Sequence, residues 1–266
     1  MFNQKQPEVL NNQQSGTDKA DGVAITYYTD PLCCWSWGME PQWRKLRYLF
    51  GEKITWRYCM GGLLPDWKAF HDPLNAVSRP AQMGPVWMEA AHITGMPINS
   101  TLWIHDPPQS SYPACMAVKA ARLQSAMAEE VYLRRLRETV MIENKNIAQL
   151  PVLYRIAEQI ASIIPEYFNA AVFREDMKND RALEAFRADL QEVQLRQINR
   201  FPALIFRKGG EAPLLLTGYR PYAALADIID QWSITVERND FSLEDYHRYW
   251  GSLTDREIKE VLTGDG

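Results

Sequence analysis

Apolar positions along this chain follow two different periods, and the change of period marks its elements. Residues 23–28 (VAITYY) are β-branched and aromatic, which predicts a strand buried on both faces. A turn over Thr29, Asp30, Pro31 and Leu32 follows. From Cys33 onward Trp37, Leu46 and Leu49 recur at helical spacing, with Arg44, Lys45 and Arg47 expected on the surface. Pro41 falls inside that helix, where its missing N–H predicts a kink. Gly51 and Glu52 end the helix, residues 53–60 (KITWRYCM) predict a second strand, and Gly61 and Gly62 close it. A strand, helix and strand in this order predict two parallel neighbours joined by a right-handed crossover.

From about residue 73 to residue 197 the helical period takes over. Residues 81–94, 113–126, 129–142, 149–163, 166–177 and 181–196 each carry apolar side chains at i, i+3 or i+4. Pro113, Pro151 and Pro165 stand where a first helical turn tolerates proline. Strands return at 202–207 (PALIFR) and 212–217 (APLLLT), and a helix follows over 221–232. The fold class is therefore α/β: a thioredoxin-type core, β-α-β then β-β-α, with a large all-helical insertion. The division is a polar tail at 1–22, a core from 23–72 and 198–232, an insertion at 73–197 and an extension at 233–266. In the extension, Thr254 to Glu257 form a capping pattern before a short helix. Its aromatic residues Phe241, Tyr246, Tyr249 and Trp250 either pack on the domain or meet a partner.

Composition narrows the function. Of the 266 residues 46% are hydrophobic and 23% charged, the balance of a globular protein. A net charge of -4 gives no footprint for nucleic acid or for an anionic membrane. The N-terminus lacks the apolar stretch of a secretory signal, and no run of about 18 apolar residues is long enough to cross a membrane. A cytoplasmic protein is the expectation. Its four cysteines, at 33, 34, 59 and 115, do not make a disulfide scaffold, and its four histidines share no ligand-like spacing with them. No metal and no bound cofactor are expected.

The chemistry concentrates in the frame Cys33, Cys34, Trp35, Ser36. A cysteine at a helix start meets unpaired N–H groups and the positive end of the helix dipole, which favour the reactive thiolate. A redox dithiol motif spaces two cysteines by two residues, but this frame ends in serine. Trp35, in the turn, is placed to contact a substrate, whereas Tyr27 and Trp37 belong to the core.

The segment TDPLCCWSWGMEP resembles the active-site segment of DsbA-like thioredoxin-fold proteins, in the branch of FrnE-type disulfide oxidoreductases and SpxH-type (YjbH-like) protease adaptors. Asp30, Leu32, Cys33, Trp35, Trp37 and Gly38 match the usual D-x-L-C-P-W-C-[YW]-G form. Cys34 stands where proline is common, and Ser36 where the resolving cysteine belongs. SYPACMAVKAAR, at 111–122, is similar to a helix of that branch's insertion, and Glu143, Asn144 and Ile147 to its E-N-x-x-I connection. INRFPALIF, at 198–206, resembles the loop that carries the family's cis-proline, with Pro202 in the proline's place, Arg200 for the usual glycine and Ala203 for the common threonine.

The resemblance implies a thiol-disulfide oxidoreductase acting through Cys33 alone, with Ser36 stabilising the thiolate and Phe201 and Pro202 shaping a loop that binds an extended substrate strand. Protein thiols or disulfides are the implied substrates. Ser36 cannot resolve a mixed disulfide, so an external thiol such as glutathione, as co-substrate, or Cys115, on the helix the family sets over the site, must do so. Cys34 is grouped with Trp35, Phe201 and Pro202 as a substrate-contacting residue; it is adjacent to Cys33, and a vicinal disulfide between them is strained. Cys59, at the end of a core strand, reads as a buried small hydrophobe. Two further classes stay open. One is a redox-inactive SpxH-like adaptor that binds a protein partner through the insertion or the extension. The other is a glutathione-dependent transferase or isomerase of the kappa-class type, whose serine corresponds in position to Cys33 rather than Ser36.

Overall fold

The computed structural model describes residues 22–70, 72, 75–232 and 242–262. Strand β1 (Val23–Thr29) leads into helices α1 (Cys34–Gly38) and α2 (Glu40–Phe50), then into β2 (Ile54–Met60). β1 and β2 pair in parallel, Val23 against Ile54 through Thr29 against Met60. Strand β3 (Ala203–Arg207) pairs antiparallel with the other side of β1, and β4 (Leu214–Thr217) antiparallel with β3. The order is β2-β1-β3-β4. Side chains alternate between its faces, so Ile25, Tyr27, Tyr58, Leu204 and Phe206 enter the main core while Tyr28, Cys59, Ala203 and Ile205 form a smaller cluster behind the sheet with Ile198. This is a thioredoxin-like core, and seven helices among the described residues separate its two halves.

Those helices are α3 (Met83–Thr94), α4 (Leu102–His105), α5 (Tyr112–Gln124), α6 (Ala126–Met141), α7 (Leu150–Ile163), α8 (Ala170–Asp176) and α9 (Arg181–Leu195). α5 and α6 are separated by Ser125, whose extended backbone ends one helix while its hydroxyl accepts from Ala128 N at 2.9 Å to begin the next. The helix expected over 166–177 is shorter because Asn169 caps it, its Oδ1 accepting from Ala171 N at 2.8 Å. The one-turn α4 has no counterpart in the sequence reading. α9 returns to the second face of the sheet and packs on β2, against Cys59 and Met60.

Three expectations change in the folded chain. The helix after Cys33 does not bend at Pro41; it divides at Met39, and Pro41 sits in the first turn of α2, where its missing N–H leaves no bond unmade. The aromatic stretch of the extension contains a helix that the spacing does not predict, α11 (Leu243–Trp250), whose N-cap Ser242 accepts from Asp245 N at 3.2 Å. With α12 (Asp255–Leu262) it packs back against the domain, burying Tyr246 and Trp250; Phe241 lies outside the described residues. The capping pattern is present: Thr254 N donates to Glu257 Oε2 at 2.7 Å, and Glu257 N to Thr254 Oγ1 at 3.3 Å.

The third change concerns Arg44, Lys45 and Arg47, which are buried rather than on the surface. α2 carries charge on the face that α6 and the C-terminal helices cover, so each cation meets a partner. Arg47 donates to Glu130 at 2.7 Å and lies 3.9 Å over the Trp56 ring. Lys45 donates to the Glu260 carbonyl at 3.3 Å and lies over Tyr222, at the start of α10 (Tyr222–Asp230), which packs on α2. Arg44 pairs with Glu40 at 3.3 Å and with Glu257 at 3.2 Å. Arg134, from α6, holds Glu257 through two bonds of 2.9 and 3.0 Å and stacks 4.6 Å over Trp37. Arg137 donates to Glu40 at 2.7 Å and to the Thr29 hydroxyl. Core, insertion and extension meet in this one cluster.

Removing one member strands the others without a countercharge, which costs about 3 kcal/mol or more. Glu257 is held down to about 2, because Arg134 and Arg44 outweigh its burial. A carboxyl whose folded pKa is depressed stabilises the fold above its unfolded value near 4.5 and loses that contribution as pH falls toward 2. Denaturant unfolding across this window is expected to show wild-type stability falling toward that of Glu257→Gln as the pH drops. The gap between them is expected to be largest above pH 5.

Candidate functional site

The site grows from the end of β1. Asp30, the first residue beyond the strand, is fully buried and accepts four hydrogen bonds. Its Oδ1 takes Leu32 N at 2.8 Å; its Oδ2 takes Leu63 N at 2.7 Å, the Ser111 hydroxyl at 2.8 Å and the Cys115 thiol at 3.3 Å. One carboxylate therefore ties the cysteine loop, the loop after β2 and the start of α5 together. Burial raises its pKa, and the donors offset part of that rise. Sequence reasoning treated Asp30 only as a motif position. The available signal was an acidic residue between a fully apolar strand and the cysteine frame, where burial leaves it in need of donors.

Cys33 is the N-cap of α1, its Sγ accepting from Ser36 N at 3.4 Å. The position is the one read from the sequence, but the electrostatics run the other way. The side chain is 4% exposed, and burial raises the thiol's pKa. The contacts with Ser36 and the more distant Arg137 only temper that rise, and the nearby Asp30 adds to it. A helix of five residues supplies too little dipole to offset desolvation. The Ser36 hydroxyl is buried and makes no hydrogen bond of ordinary geometry, while its carbonyl accepts from the Tyr27 hydroxyl at 3.3 Å.

The other candidates are placed as follows. Cys34 is buried in the main core, with its thiol pushed well up by burial, and so presents no surface to a substrate. Trp35 is half-buried and keeps part of its ring at the surface. Cys115 is fully buried and engaged with Asp30, and burial together with that carboxylate pushes its thiol well up. Cys59 is a buried hydrophobe whose thiol points to the Asp189 carbonyl at 3.6 Å. All four cysteines are free thiols. Among the described residues no group of three histidine, cysteine or acidic side chains has the arrangement of a metal site, and no helix is long and apolar enough to cross a membrane.

The Phe201–Pro202 peptide bond is cis. β3 begins at Ala203, opposite Tyr28, so the bond lies beside the end of β1 and the cysteine loop. Pro202 is buried and its carbonyl accepts from Gly218 N at 2.7 Å. The ring of half-buried Phe201 rests on Gly61, where a Cβ would fall 2.1 Å from it, so only glycine fits. Gly61 N in turn donates to the Thr29 carbonyl at 2.7 Å. Cys33 and Ser36 thus follow the end of β1, Pro202 precedes β3 beside that same end, the Phe201 ring packs with the cluster behind the sheet, and Cys34 and Cys115 lie in the interior.

A family model described as thioredoxin matches residues 27–227, and the chain belongs to that family. Among curated proteins it is similar to the ClpXP adapter protein SpxH of Halalkalibacterium halodurans, with 27% identity over 248 residues, 92% of this chain and 79% of that one. Among solved structures it is similar to the cytosolic disulfide reductase DsbM of Pseudomonas aeruginosa, with a TM-score of 0.58 and 19% identity, covering 79% of this chain and 94% of that one. It is also similar to a 2-hydroxychromene-2-carboxylate isomerase, with a TM-score of 0.53 and 14% identity, covering 79% of this chain and 96% of that one. The two structural likenesses show the shared fold. The family match ends before α11 and α12, so the helix that supplies Glu257, α12, lies beyond it.

A buried thiol with a raised pKa reacts slowly as a nucleophile. Alkylation of the native protein, followed by peptide mapping, is expected to label Cys33 slowly, with a rate still climbing above pH 9, and to label all four cysteines quickly after unfolding.

Proposed function

We propose that this chain is a thioredoxin-fold adaptor that binds a protein partner and presents it to a ClpXP-type protease, with Cys33 serving the structure of the binding loop. The observation that carries this reading is the state of Cys33: buried, raised by desolvation and followed by Ser36 in place of a resolving thiol. A nucleophile that turns over without an external thiol needs an accessible thiolate and a second sulfur, and the frame offers neither. The similarity to SpxH proteins, named as ClpXP adapters, supports the same reading. The loop around Phe201 and Pro202, and the part of Trp35 left at the surface, would then contact the partner.

A second reading keeps the thiol active, favoured by Cys33 at a helix N-cap beside a cis-proline loop. The Cys33 thiolate would attack a protein disulfide, bonding one sulfur and releasing the other as a thiolate. A glutathione thiolate would then attack the mixed disulfide and release Cys33. The two readings part on one variant. In cells lacking the protein, a defined set of proteins is expected to have lengthened half-lives under pulse-chase proteomics. Cys33→Ser is expected to restore their turnover as well as the native chain does. Failure of Cys33→Ser to restore it, with the variant folded and present at native level, supports thiol exchange and defeats the adaptor reading.

A further inference from the structure

The second face of the sheet is covered unevenly. Neighbouring strands bring cross-strand partners to the same face, so Arg57, Thr26, Ile205 and Leu215 form one row across it, and Cys59, Tyr28, Ala203 and Thr217 the next. α9 covers the second row: Tyr28 donates to Glu192 at 2.7 Å, and Val193 and Ile198 pack on Cys59 and Ala203. In the first row Thr26 and Ile205 are buried, while its two ends are open, with the Arg57 side chain 45% and Leu215 53% exposed. Beside α9 the opening deepens into a groove of about 600 Å³ lined by Arg57, Glu192, Leu195, Arg196 and Arg207.

The charge of this groove opposes that of the whole protein. Three guanidinium groups face one carboxylate, Glu192, in a chain whose net charge is -4. Glu192 is already engaged by Arg57 and by the Tyr28 hydroxyl, and Arg207 donates to the Thr26 hydroxyl at 3.1 Å, which holds its guanidinium on the sheet. Leu195, 83% exposed, adds an apolar side chain at the rim. The groove is too open to enclose a small molecule, but it matches a chain that alternates carboxylates with aliphatic side chains.

We infer that this arginine-lined groove on the open sheet face docks an acidic segment of the partner protein, its carboxylates meeting Arg57, Arg196 and Arg207 and its aliphatic side chains meeting Leu195. The inference rests on the adaptor reading and adds a second contact surface, across the sheet from the main core.

The test measures fluorescence anisotropy of a labelled peptide alternating glutamate and leucine, with a lysine-leucine peptide and inorganic phosphate as comparisons. Native protein is expected to bind the acidic peptide, with affinity falling as salt rises, and to ignore the lysine peptide. Arg196→Glu alone, at an exposed position, and Arg57→Gln with Arg196→Glu are expected to weaken binding progressively, the pair by about tenfold or more, while keeping the native melting temperature. The paired variant is also expected to fail to restore turnover in cells. Unchanged peptide binding by the paired variant overturns the assignment, as does phosphate competing as well as the peptide, or restored turnover despite lost peptide binding. Tighter binding after deletion of residues 1–21 also overturns it, since that assigns the groove to the chain's own N-terminus. Each of these results leaves the adaptor reading standing, because that reading is decided by the Cys33→Ser arm.

Discussion

The buried ionic junction of Glu40, Arg44, Arg134, Arg137 and Glu257 is the constraint on which the rest of the structure depends. Each member comes from a part of the chain that lacks the countercharge it needs: α2 from the core, α6 from the insertion, α12 from the extension. Desolvating such charges is unfavourable unless every one is paired, so the cluster adds little net stability yet strongly penalises any arrangement that separates its parts. Trp37 beneath Arg134 and Trp250 beside Arg44 exclude water from it and stack on the guanidinium planes. The insertion is thereby held in one position over the helix that begins at Cys33.

That position shapes the site. Arg137 reaches from the junction to Thr29 at the end of β1, and Asp30, one residue on, gathers donors from three segments. Such close packing around a five-residue helix excludes solvent from Cys33, and desolvation then outweighs every contact that would favour its thiolate. The geometry of a thiol-exchange site is retained, with the N-cap sulfur, the cis-proline loop and the glycine that seats Phe201. What the surroundings no longer supply is access and a second sulfur. A cis-proline loop that, in the proposed reading, holds an extended strand of a partner needs no reactive thiol to do so, which is the physical basis for proposing an adaptor.

The open sheet face extends this logic. α9 covers the row of Tyr28 and Cys59, and the adjoining row ends in the exposed side chains of Arg57 and Leu215. An exposed, positively charged surface on an acidic protein favours encounter with negatively charged partners and gives the association a dependence on salt that burial of apolar area alone would lack.

Much of the architecture was legible in the chain itself. Local periodicity and punctuation determine β1, β2, β3 and most of the helices, because β-branched runs, apolar spacing of three or four, and glycine or proline at the ends act over a few residues. The frame at 33–36 and the proline at 202 were likewise visible as a constellation. Tertiary structure decided what proximity alone creates. Arg44, Lys45 and Arg47 look like surface cations until α6 and α12 cover them, and Asp30 looks like a turn residue until Leu63, Ser111 and Cys115 converge on it. The division at Met39 and helix α11 depend on packing that periodicity does not report. So does the reactivity of Cys33: the sequence determined that a thiol stands at a helix start, whereas the thiol's charge state depends on how much water reaches it, a property of the whole fold rather than of its neighbours in sequence.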